Sequence, residues 1–123
     1  MIVLLLTALA GGFGGAARFT VDTLLAARNR FSIPIGTLVV NATACLLLGI
    51  VTGIAIGHAG ADDLRSVLGT GLLGGYSTFS TASVEGARLL RQGRIGAATV
   101  HGGGMLLLSL GTSTLGLVIG SAV

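Results

Sequence analysis

The chain has 123 residues, 52% of them hydrophobic and only 9% charged, with seven Arg, no Lys and a net charge of +3. A soluble domain carries about 25% charged residues, so this composition excludes a soluble fold, and the basic excess belongs to membrane-flanking loops rather than to nucleic-acid binding. At ~20 residues per crossing, the length accommodates four membrane helices in one domain, residues 1–123.

Helix 1 is predicted from about Ile2 to Ala26. Its start lacks the basic flank of a signal peptide, and the apolar pattern continues past any cleavage site, so it is read as the first span. Gly12-x-Gly14-x-x-Ala17 imitates a dinucleotide fingerprint but has no βαβ context. Gly11 and Gly15, four apart, allow a second helix to approach closely. Arg18 has two readings: a side chain that snorkels to the interface, or a charge facing the protein interior, with Asp22 one turn on as its pairing partner.

A basic loop, Arg28-Asn29-Arg30, leads to helix 2, predicted from about Ile33 to Ile56 with Pro34 in its first turn. Asn41 stands in an otherwise apolar run. It serves either as interhelical hydrogen-bond glue or as a donor to a passing anion. Gly49, Gly53 and Gly57 predict a tightly packed face. Cys45 is the only cysteine, so no internal disulfide is possible, and it is read as packing. His58, Asp62 and Asp63 in the next loop lack the further ligands a metal site needs.

Helix 3 is predicted from about Ser66 to Gln92 and contains the most unusual stretch of the chain, Gly74-Gly75-Tyr76-Ser77-Thr78-Phe79-Ser80-Thr81-Ala82-Ser83-Val84-Glu85. Gly71 and Gly75 form another small-residue pair. Backbone groups freed at bilayer depth cost several kcal/mol each unless they find a partner (roughly 2–7). A helix broken there is using its freed groups. The break is expected over 74–78, with Gly74-Gly75 as the yielding point and Ser77 or Thr78 capping the second half. Thr81, Glu85 and Arg88 share a face of that half; a Glu at this depth must be paired or near water, and Arg88, three residues on, is a candidate partner. Helix 4 is predicted from about Ile95 to Ile119, with His101 and a loosening Gly102-Gly103-Gly104 in its first half.

The loops after helices 1 and 3 carry Arg28, Arg30, Arg88, Arg91 and Arg94, against Arg65 alone in the loop after helix 2. This asymmetry predicts both termini outside and the basic loops in the cytoplasm of a cell inner or plasma membrane.

Four signatures occur in one order: Gly11-Gly12-Phe13-Gly14-Gly15-Ala16-Ala17-Arg18; Ile33-Pro34-Ile35-Gly36-Thr37-Leu38-Val39-Val40-Asn41; Gly74-Gly75-Tyr76-Ser77-Thr78-Phe79-Ser80-Thr81; and Glu85 four residues on. On these the chain resembles the Fluc (CrcB) family of fluoride channels, fully over helices 1 to 3 and more weakly in helix 4. The resemblance implies an all-α membrane protein of four transmembrane helices, the third broken mid-membrane, assembled as an antiparallel, dual-topology-type dimer. It implies passive export of toxic cytoplasmic fluoride through pores along the dimer interface. It also implies a structural, non-transported Na⁺ held by the backbone carbonyls of Gly74 and Ser77. Asn41, Phe79, Ser80, Thr81 and Glu85 match pore positions, and Arg18 matches the vestibule arginine. Hydroxyls, an amide and a phenyl edge suit a small, strongly hydrated anion.

Two positions depart from the family pattern. Ala82 stands where a second pore phenylalanine is expected, and His101 where Asn or Tyr is usual. With the charge bias, these suggest a heterodimer with an oppositely oriented homologue rather than a homodimer. Two other functions compete: a small dual-topology, proton-coupled exporter using Glu85, and a non-conducting structural partner subunit. No paired catalytic carboxylates or activated nucleophile suggest an enzyme.

Overall fold

Apolar runs rich in Leu, Ile, Val and Ala satisfy their own backbone only as helices, and the chain is all-helical. The computed structural model describes residues 1–123. In chain order the elements are α1 (Ile2–Arg28), α2 (Ile35–Gly57), α3 (residues 62–76), α4 (Ser80–Arg91) and α5 (Ile95–Ser121). α1, α2 and α5 are each long and apolar enough to cross a membrane. α3 and α4 are two halves of one further helix, interrupted at residues 77–79. Only 16 of 123 residues are buried, and side chains such as Leu5, Phe13, Leu107 and Val118 stand outward. An apolar exterior of this extent needs lipid or a partner against it.

Two glycine seams hold the bundle together. Between α2 and α5, a Cβ on Gly49 would run into the Ser113 carbonyl and the Leu117 amide, and one on Gly116 into the Leu46 carbonyl. Gly53 and Gly120 repeat the arrangement one turn on. Helix backbones meet this closely only where side chains are absent. The expected ridge ends there, because Gly57 has no neighbour within 4 Å. Between α1 and α3, the close approach falls on Gly11 and Gly14 rather than on Gly11 and Gly15. Gly14 lies under Leu72 and Tyr76, Gly75 lies on Gly11, and Gly71 would place a Cβ 2.6 Å from the Thr7 carbonyl.

The helix ends differ from expectation for local reasons. α2 starts at Ile35, with Pro34 as its N-cap, because Asn29 folds the preceding loop. Its Nδ2 donates to the Ile33 carbonyl at 2.9 Å, and its Oδ1 accepts from the Phe31 N–H at 2.8 Å. α3 starts earlier than expected, with Asp62 and Asp63 in its first turn, where carboxylates suit the helix dipole. It then winds as a π-helix over Arg65–Leu73 before a last α-turn, Gly74–Tyr76. Nothing in the sequence signals this wider winding. Gly102 to Gly104 do not interrupt α5.

The turn from α4 to α5 uses Gly93 at φ 72°, a left-handed conformation that glycine adopts freely. Beside it, Arg94 Nη2 donates to the Ser32 carbonyl. The loops after α1 and after α4 therefore share one end of the bundle.

Candidate functional site

The break is where the backbone leaves its ladder, so its hydrogen bonds can be followed group by group. In a continuous helix the Thr78 N–H would donate to the Gly74 carbonyl. It donates instead to Asn41 Oδ1 at 2.8 Å. Asn41 Nδ2 returns a bond to the Thr78 carbonyl, also at 2.8 Å. The amide of Asn41 thus pairs with both backbone polar groups of Thr78, and this pairing fixes which side-chain atom is oxygen. The Thr81 N–H, which would have served the Ser77 carbonyl, donates to Thr78 Oγ1 at 3.2 Å. That is a cap on α4, supplied by Thr78 rather than Ser77.

The expected yielding point at Gly74-Gly75 is therefore corrected. Both glycines are helical, and the chain turns extended at Ser77, φ −73° and ψ 158°. Gly75 is present for contact with Gly11. The break follows from Asn41 and Thr78 capturing donors, not from glycine flexibility.

Capture frees the helical carbonyls of Gly74 and Ser77. Only Ser77 Oγ, at 3.4 Å, reaches the Gly74 oxygen. Carbonyl oxygens of this kind are the donors a hard cation takes. No group of three or more His, Cys, Asp or Glu side chains gathers anywhere in the chain.

Around the break the polar residues fall on three surfaces. The largest is an open groove of about 690 Å³, lined among others by Asn41, Ser77, Phe79, Ala82, His101 and Met105. Phe79 is 87% exposed. A smaller cavity of about 140 Å³ holds Arg18, Asp22, Thr37, Thr78 and Thr81. An open cleft along α4 carries Ser80, Thr81, Glu85 and Arg88. Hydroxyl contacts join them: Thr78 Oγ1 lies 3.1 Å from Thr81 Oγ1 and 3.4 Å from Ser80 Oγ.

Glu85 reaches inward rather than along its own helix. Its Oε1 accepts from Thr37 Oγ1 at 2.9 Å, and its Oε2 lies 3.5 Å from His101 Nε2. The candidate pairing with Arg88 does not form, and neither does an Arg18–Asp22 ion pair. Asp22 instead packs on Gly36, where any Cβ would strike its carboxylate. His101 is 1% exposed, and both ring nitrogens lack a hydrogen-bond partner. It is thus a core residue against Glu85 as well as part of the groove wall.

The structure therefore brings Asn41, Phe79, Ala82, Ser77 and His101 to one groove. It joins Ser80, Thr81 and Glu85 along α4, and sets Arg18 behind Thr81. Thr37, Thr78 and Met105 complete the arrangement. Their signal was spacing: Thr37 precedes Asn41 by four residues on α2, and His101 precedes Met105 by four on α5, so each pair shares a helix face. Asn41 Nδ2 meets Met105 Sδ at 3.2 Å where these faces oppose.

Comparison with known proteins bears on this arrangement. Residues 5–121 match the family described as CrcB-like protein, Camphor Resistance (CrcB). The chain is 46% identical over 119 residues to the fluoride-specific ion channel FluC 1 of Leifsonia xyli subsp. xyli, covering 97% of this chain and 87% of that protein. It is 43% identical over 125 residues to the fluoride-specific ion channel FluC 2 of Cutibacterium acnes, covering 99% and 100%. It is 38% identical to the fluoride-specific ion channel FluC of Nitratidesulfovibrio vulgaris over 98% of both chains. With a family match over almost its whole length and relatives this similar, the chain belongs to the CrcB family.

Proposed function

We propose that this chain is a subunit of a fluoride-specific channel that lets cytoplasmic fluoride leave the cell passively. The observation that carries the reading is the break held by Asn41 and Thr78 beside the groove of Phe79, in a chain 46% identical to a fluoride-specific ion channel. Fluoride gives up tightly held water only to hydrogen-bond donors and electropositive edges. Asn41 offers an amide N–H, Ser80 and Thr81 offer hydroxyls, and Phe79 offers a ring edge. Glu85 ends this track and orients the Thr37 hydroxyl, while Arg18 supplies positive charge behind Thr81. Ala82 leaves the groove wider than a second phenyl ring would, and His101 forms its far wall.

The exposed groove is the surface for a second subunit in opposite orientation, with 1–123 as one domain of each. The five-to-one arginine bias between the two membrane faces favours a homologue of opposite bias as that partner, with both termini of this chain outside. The freed carbonyls of Gly74 and Ser77 fit a structural Na⁺ shared near the subunit contact. When bound, that ion would balance carbonyl dipoles that the break has deprived of their helical N–H partners.

The test is efflux of fluoride and of chloride from liposomes containing this chain alone or co-expressed with such a homologue. Fluoride efflux without chloride efflux supports the reading. Efflux from the chain alone replaces the heterodimer with a homodimer. Fluoride-selective efflux from neither preparation overturns the channel.

A further inference from the structure

We propose that Met105 is a positioning residue that sets fluoride affinity by holding the one Asn41 N–H that the break does not use. The inference rests on the fluoride-channel reading, and deepens it at one atom.

A carboxamide has one oxygen and two N–H donors. The Asn41 oxygen and one N–H are committed to Thr78, each at 2.8 Å. Losing either bond would strand a polar group of a buried residue. The second N–H is the only part of Asn41 left for a ligand, and it meets Met105 Sδ at 3.2 Å. Asn41, Met105 and Phe79 line the same groove, so this N–H and the phenyl ring face one space that an anion can enter.

The acceptor in that position matters. A thioether sulfur accepts a hydrogen bond weakly, on a side chain that re-packs easily. It satisfies the N–H while the groove holds no anion, then yields to fluoride, a far stronger acceptor. A carbon in its place would leave the N–H bare and waiting. An oxygen in its place would hold it against the anion. The sulfur is therefore an exchangeable placeholder, and its strength subtracts directly from the affinity of the anion that displaces it.

Two changes bracket the sulfur. Met105→Leu conserves volume and removes the acceptor. Oxidation of the thioether to the sulfoxide strengthens it; a peroxide transfers one oxygen to sulfur and leaves as water. Met1 is the only other methionine. Cys45 lines the same groove and is also open to oxidation, so Met105→Leu treated with the same peroxide is the control.

The assay is titration with sodium fluoride of protein carrying ¹⁵N only in asparagine, read by NMR of the side-chain amides. The chain has two asparagines, Asn29 and Asn41, so the spectrum is assignable. Fluoride is expected to move one Asn41 amide proton and leave its Thr78-bound twin in place. The titration midpoint should fall about two- to fivefold in Met105→Leu, the scale of a weak hydrogen bond, and rise by at least about that in the sulfoxide. In the conducting assembly, the half-saturating fluoride concentration should move the same way with the maximal rate little changed. Equal midpoints in wild type and Met105→Leu overturn the inference, as does a wild-type Asn41 amide that ignores fluoride. A titration of the expected form in a chain that passes no fluoride upholds it and counts against the channel reading alone.

Discussion

The seam between α2 and α5 and the break between α3 and α4 both depend on close approach inside a membrane, but they treat the backbone in opposite ways. At the seam every peptide group stays in its own helix, and glycines bring those helices together: Gly49 and Gly53 lie on Ser113 and Leu117, Gly116 and Gly120 on Leu46 and Ile50. At the break, Asn41 and Thr78 take N–H groups out of the ladder and leave carbonyls free. The seam is sealed and offers nothing to an ion. The break is the only place along the four helices where side chains have replaced helical hydrogen bonds, and the groove opens beside it. Small residues bring helices close, whereas polar side chains decide where a helix stops.

The contrast can be broken from either side. The largest effect is expected at the seam. Gly116→Leu drives a branched side chain into the Leu46 carbonyl and the Ile50 amide, which cannot move aside. Overpacking costs about 1–3 kcal/mol where side chains can yield, and more against backbone. Size-exclusion chromatography in detergent should show loss of the discrete species, while Gly57→Ala, with no neighbour, elutes as wild type. A well-behaved Gly116→Leu would mean the helices are not this close.

Next comes the cap. Thr78→Val removes the hydroxyl that accepts from the Thr81 N–H and bridges Ser80 and Thr81. A lost cap costs about 1 kcal/mol. A small fall in the melting temperature should accompany a larger fall in fluoride efflux, because the hydroxyl track is also cut. Equal, small changes in both would remove Thr78 from the track.

Glu85→Gln should do less. The amide oxygen can still accept from Thr37, and a passive pathway needs no proton carrier. Fluoride efflux within about threefold of wild type is expected, on the scale of a single altered hydrogen bond. Complete loss, together with dependence on an imposed proton gradient, would favour a proton-coupled exporter instead. The smallest effect is expected at Arg94→Ala, whose bond to Ser32 lies at an exposed loop. Melting should shift by no more than about 1 kcal/mol equivalent.

Much of the bundle was legible in the sequence because hydropathy and small-residue spacing are local signals. α1, α2 and α5 follow from them, as does the existence of a broken helix. What stayed hidden depends on partners far along the chain. The Gly74-Gly75 pair looked like a hinge because glycine permits one, yet α1 uses Gly75 as a contact. Asn41 is 37 residues from Thr78, and no pattern within α2 reveals that its amide braces another helix. Spacing alone offers Arg88 to Glu85, but the buried Thr37 hydroxyl is the donor it takes, with the buried His101 ring beside it. The π-winding of Arg65–Leu73 has no compositional mark at all.

The central claim is that Asn41 holds the break in the form that carries fluoride. Asn41→Leu strands the Thr78 N–H and carbonyl together, at about 1–3 kcal/mol for each unsatisfied group. The direct measurement is fluoride and chloride efflux from liposomes holding the conducting assembly, with its homologous partner where one is needed, built with wild type or Asn41→Leu and using only protein that elutes as the wild-type assembly. Wild type should pass fluoride and not chloride, and the variant should lose at least about tenfold of its fluoride efflux. A correctly assembled Asn41→Leu that conducts fluoride like wild type would contradict the account.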